Sequence, residues 1–119
     1  MNTKKIFYND YDKLSGESFL DVDQTLDLFK SLNWQKSTFL YFDVNETETF
    51  QIFYQEEALY LIEIANDSED MVYLQKFADG EQARSLIQYY FEYQVVSTDG
   101  FYAVPIETKT LSDVIRETN

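Results

Sequence analysis

The chain has no histidine and no cysteine, and it carries only three glycines and one proline. Each absence removes a class of chemistry. Without His and Cys there is no Ser–His triad, no Cys–His pair, no imidazole acid–base catalysis and no His or thiolate metal site. No disulfide can form, so cysteine usage leaves the compartment open. Gly16, Gly80 and Gly100 lie far apart, which leaves no glycine-rich loop to cradle a phosphate. So little Gly and Pro also argues against linkers and low-complexity segments, and no internal repeat is present. No segment reaches the ~18 apolar residues of a membrane span. The opening "MNTKKIFYNDYD" has two lysines but no apolar run of signal-peptide length, so a cytoplasmic protein is expected. Positive charge is scarce too: 9 Lys and Arg stand against 22 Asp and Glu, a formal net charge of −13. That balance disfavours nucleic acid and anionic membrane, which need basic patches. It favours a basic protein partner drawn in by long-range attraction, or serves solubility alone.

What the chain does have is hydrophobic residues at 45% and aromatics at 18% of its 119 residues. That is one domain, residues 1–119, long enough to bury a core without disulfides or metal. Two helices are signalled. Over Val22–Leu32, Asp21 is the cap, Gln24 has the capping-box spacing, and Val22, Leu26, Phe29 and Leu32 form a stripe. Over 80–93, Asp79 and Gln82 repeat the spacing before a face of Ala83, Leu86, Ile87, Tyr90 and Phe91. Between them lie four strand-like runs: Thr38–Val44, Phe50–Gln55, Ala58–Ala65 and Met71–Ala78. Their connections are short and polar, so the runs are antiparallel neighbours in a meander. Residues 4–10 read as an extra edge strand, 101–107 as a strand whose Pro105 favours an edge, and 111–117 as a short terminal helix. The expected fold is α+β: an antiparallel meander sheet of four to six strands with two main helices packed on one face.

The hairpin "FQIFYQEEALYLIEI" (50–64) is apolar on one face and still half apolar on the other. Leu40, Phe42, Ile52, Tyr54, Ile62 and Ile64 are expected to meet the helices. Phe39, Tyr41, Asp43, Phe53, Leu59, Leu61, Glu63, Tyr73 and Phe77 form a second face. That face is covered either by the terminal segments or by another protein.

The carboxylates carry no catalytic or metal pattern. A glycosidase needs a carboxylate pair, but among 22 acids any pair is an empty signal. "DVDQTLDLFKSL" lacks the glycine and glutamate of a calcium loop and reads as a capped helix. "NDSED" is an exposed acidic turn, and "NET" (45–47) is more simply a turn than a glycosylation site. No cofactor is expected. The partner-binding candidates are the acids Asp43, Glu56, Glu57, Glu63, Asp67, Glu69 and Asp70 and the aromatic anchors Tyr41, Tyr73, Tyr89 and Tyr93. The expected assembly is a monomer or a weak homodimer.

A capped helix ("DVDQTLDLFKSLN"), a Tyr- and Phe-rich four-strand meander and a second helix ending in "YYFEY" follow one another over residues 18–94. In this order and composition the chain resembles the immunity proteins of bacterial polymorphic-toxin and contact-dependent-inhibition systems. The resemblance implies a cytoplasmic, non-catalytic protein that binds and blocks a basic toxin, a nuclease or a deaminase. Two other readings stand beside it. One is an acidic DNA mimic, which needs carboxylates in phosphate-like rows. The other is a carboxylate enzyme, which needs a deep pocket and a raised carboxyl pKa.

Overall fold

The computed structural model describes residues 2–11, 15–67 and 70–118. Three helices start in the same way. In α1 (Val22–Ser31), the Asp21 carboxylate accepts from the Gln24 N–H at 2.9 Å, and the Gln24 side chain accepts from the Asp21 N–H at 3.0 Å. In α2 (Gly80–Tyr93), Asp79 and Gln82 make the same pair at 2.8 and 2.9 Å. In α3 (Leu111–Thr118), Thr110 and Asp113 exchange the two bonds at 3.2 and 3.0 Å. Each box satisfies backbone donors that the first helical turn would otherwise leave unpaired. The expected stripes point inward: Phe29 of α1 and Ala83, Leu86, Ile87, Tyr90 and Phe91 of α2 are buried. Leu26, which the stripe also places inside, is only partly buried. Thr25 takes the interior position, its hydroxyl donating to the Asp21 carbonyl at 2.8 Å.

The strands are β1 (Lys4–Asn9), β2 (Gly16–Leu20), β3 (Phe39–Asp43), β4 (Glu48–Glu56), β5 (Leu59–Asn66), β6 (Val72–Ala78) and β7 (Tyr102–Pro105). They form one seven-stranded sheet in the order β2-β1-β3-β4-β5-β6-β7, with every neighbouring pair antiparallel. The central meander β3 to β6 runs in sequence order, as its short connections require. The Asn45 side chain accepts from the Thr47 N–H (2.9 Å) and hydroxyl (3.0 Å), so "NET" is a side-chain-built turn. In the β4–β5 turn, Ala58 sits at φ 59°, a left-handed position.

The expectation of four to six strands falls short at the N-terminal end, and the two main helices are joined by the short terminal helix read over 111–117. The terminal run 111–117 is a true third helix, and β7 is an edge strand. β1 is not an edge strand, because β2 pairs outside it with Phe7 opposite Glu17 and Ile6 opposite Ser18. In β2 ("GESFL"), Gly, Glu and Ser are weak strand formers, so local propensity is silent there. The strand exists because β1 supplies its ladder. Ile6 then lies inside the sheet opposite Phe42, with no solvent exposure.

The core lies between the sheet and the α1–α2 layer. Leu40, Phe42, Phe50, Ile52 and Ile62 have no exposure and Ile64 only 3%, while Tyr54 is partly buried. Phe42 stacks on Phe50 with ring centroids 4.9 Å apart, and Tyr90 meets both edge-on. Trp34 closes one end against Phe29 and Tyr60, its indole N–H donating to the Phe29 carbonyl at 2.7 Å. Among the described residues no helix is long and apolar enough to cross a membrane.

Candidate functional site

The second face of the sheet follows from the register. A single cross-strand row runs Glu17, Phe7, Tyr41, Gln51, Glu63, Gln75, Tyr102 from one edge to the other. A neighbouring row carries Asn9, Phe39, Phe53, Leu61 and Phe77. Paired residues share a face because the side-chain period of a strand is 2. The face is therefore aromatic at the β1–β3–β4 end and more polar towards β5 and β6.

α3 covers one half of this face. It packs on β7, with Leu111 at 3% exposure, and Val104 beneath it has none. A cleft of about 410 Å³ remains between α3 and the sheet, bordered by Leu61, Gln75, Phe77, Ile106, Lys109 and Leu111. Its lining holds one cation and no carboxylate, and that cation, Lys109, bonds Glu117 at 2.6 Å. Glu63 lies beside Gln75 in the covered half, accepting from its amide at 2.6 Å. Burial pushes the Glu63 carboxyl above its ordinary range, and the Gln75 bond opposes the shift.

The other half is open. No described second-face residue of β1 to β5 is buried, whereas Gln75 of β6 and Val104 of β7, nearer α3, are. Phe7 meets Tyr41 edge-on at 5.3 Å, and Phe39 lies 6.5 Å from Phe53. These four rings are partly buried by one another, while Phe19 at the margin is 70% exposed. The covering question thus has a divided answer: the C-terminal segment takes one half, and nothing among the described residues buries the other.

An acidic corner adjoins the open half where β3, β4 and β5 end. A shallow groove of about 270 Å³ gathers Tyr41, Asp43, Glu46, Glu48 and Asp67. Desolvation raises the Tyr41 hydroxyl pKa, and a hydrogen bond and the charge of Asp43 raise it further. Tyr90 is raised in the same way, first by burial and then by the charges of Asp43 and Glu48. The Tyr90 hydroxyl donates to the Asp43 carbonyl at 3.4 Å, tying the corner to the core. Among the described residues no group of three or more acids is placed to hold a metal ion.

The structure brings together only some of the sequence candidates. Tyr41, Asp43 and Asp67 share the acidic corner. Asp70 is exposed near the same end of the sheet, and Glu69 lies outside the described residues. Glu56 and Glu57 are exposed at the opposite end, in the β4–β5 turn. Glu63 and Tyr73 belong to the covered half, and the Tyr73 hydroxyl lies 3.7 Å from the Met71 sulfur. Tyr89 and Tyr93 stand apart on α2, exposed at 39% and 55% and packed on each other at 4.6 Å. Sequence reasoning missed Glu46 and Glu48 in the corner and Phe7 and Phe19 on the open face. For Glu48 the signal was present, since β4 begins two residues before Phe50, within a Thr- and Glu-alternating run. For Phe19 no local signal existed, because its strand is defined only by pairing. Among known proteins, no family model, no curated protein and no solved structure matches the chain.

Proposed function

We propose that this chain is a non-catalytic protein-binding module, an immunity protein of the polymorphic-toxin and contact-dependent-inhibition type. In this reading it acts in the cytoplasm and occludes a basic toxin domain one to one. The observation that supports it best is the open aromatic half-face, with Phe7, Phe39, Tyr41 and Phe53 on the surface of a chain of net charge −13. Partly exposed rings grouped on one face give contact area at small entropic cost, and the surrounding carboxylates attract a cationic partner. The lack of His and Cys supports a role without catalysis. The DNA-mimic reading fits less well, because the acids of the open half, Glu17, Asp43 and Glu56, stand apart at its margins and form no phosphate-like row.

The test starts from the neighbouring gene. Its product, with any toxin domain disarmed, is co-expressed with this chain, and association is measured at low and high salt. A one-to-one complex is expected, with an on-rate that falls steeply as salt shortens the Debye length below about 10 Å. Charge reversal at Glu56 and Glu57 should slow association, whereas Tyr41→Ala should speed dissociation. A complex whose on-rate ignores salt, or whose stability depends on Tyr89 and Tyr93 and not on Tyr41, would refute this reading.

A further inference from the structure

We infer that the open half of the second face receives a single basic amphipathic helix of a partner protein, laid over β1, β3 and β4 beside α3. The inference rests on the protein-binding reading above and specifies the form of the partner.

The backbone of a sheet interior is already saturated. β1 is paired with β2 and β3, and β3 with β1 and β4. A segment docking on the face finds only side chains and no free backbone donor or acceptor. An extended segment laid there would bury its own unpaired N–H and C=O groups, which is costly. A helix arrives with its backbone bonds already made and offers one apolar stripe.

The dimensions agree. From β2 to β4 there are three strand spacings, about 14 Å, and a helix with its side chains is about 10–12 Å wide. The open half has room for one. The molecule itself shows that this face accepts a helix, since α3 seats Leu111 on it and buries Val104.

Charge selects the helix's polar flanks. The aromatic floor is bounded by Asp43 at one end, Glu56 at the other and Glu17 along the margin. On the open half, the cation Lys5 is held by Glu17 at 3.4 Å and lies over the Phe7 ring at 5.3 Å. A helix with an apolar stripe and Lys or Arg flanks complements this frame. A second copy of the chain does not, because it brings another −13 against the same acidic margin.

The probe is a synthetic Leu/Lys peptide of about 18 residues, about five helical turns, with leucines at helical spacing. Its control has the same composition in strict alternation. Both are titrated into the 15N-labelled full chain and followed by amide shifts. The helical peptide should perturb β1, β3 and β4 and bind at least about tenfold more tightly than its alternating isomer. Gln51→Lys, at the centre of the open face, should weaken it at least about tenfold by placing like charge against the helix. Phe19→Ser, at an already exposed position, should weaken it severalfold while leaving the melting temperature nearly unchanged. Val95→Ser, at an exposed position just past α2, should leave binding unchanged.

Equal binding of the two isomers, or shifts centred on α2, overturns the inference. If the neighbouring gene product forms its complex but the helical peptide is not preferred, the helix is refuted and the protein-binding reading survives. If neither binds, both fall.

Discussion

Phe50 and Phe53 are the same residue type on the same strand, three positions apart and on opposite faces. Phe50 has no solvent exposure, stacks on Phe42 at 4.9 Å and meets Tyr90 at 5.8 Å. Phe53 is partly exposed, and its aromatic neighbour, Phe39, is 6.5 Å away. Truncating Phe50 to alanine removes a fully buried ring and leaves a cavity that the helix layer cannot fill, at a cost of about 3–5 kcal/mol. Truncating Phe53 removes a ring that is already partly wet, and solvent enters the gap, so no sealed cavity forms. That loss should be about 1–2 kcal/mol. The expected difference is at least about 1 kcal/mol, about fivefold in the unfolding constant. Urea titration followed by the fluorescence of Trp34, the single tryptophan, measures both variants, with the slope checked for constancy. If Phe53→Ala costs as much as Phe50→Ala at low protein concentration, the second face is covered in the isolated chain. The face is then not open, and the proposed docking site does not exist.

Glu63→Gln keeps the bond to Gln75 and removes a carboxylate whose pKa burial has raised above the ordinary 4.5. A raised acid destabilises the fold while it is ionised, so the variant should melt higher than the parent at pH 7. The advantage should shrink as pH falls through the raised pKa and vanish below about 4.5, where folded and unfolded carboxyls are both protonated; a difference that does not vary with pH would contradict the assignment. Ala58→Gly relieves a left-handed residue at φ 59° in the β4–β5 turn. It should stabilise the chain by about 0.5–1 kcal/mol, the relief of Cβ strain outweighing the extra freedom of the unfolded glycine. A lower melting temperature for this variant would show that the turn changes conformation in solution.

Local spacing was enough to read the helices from sequence. Asp21 with Gln24 and Asp79 with Gln82 are three residues apart, and the two hydrogen bonds of each box depend on that spacing and on little else. The meander was legible for a related reason: alternation sets the faces within each strand, and short polar turns leave each strand no neighbour but the next. The α+β class follows from those two signals. Their choice of core face was also right, since Leu40, Phe42, Ile52, Ile62 and Ile64 are the residues under α1 and α2. Beyond local range the sequence was silent. β2 is a strand because β1 offers a partner, and no property of "GESFL" alone says so. Tyr89 and Tyr93 resemble Tyr41 as residues, yet they lie on α2, in the other layer from the sheet face that carries Tyr41. Glu46 and Glu48 join Asp43 and Asp67 only because three strand ends converge. The division of the second face into a covered and an open half depends on where an eight-residue helix lands after a long return of the chain. Helix caps and strand alternation are decided by hydrogen bonds and periodicities within a few residues. The candidate site is an arrangement of residues far apart in the chain, and only the pairing and packing of the whole molecule bring them together.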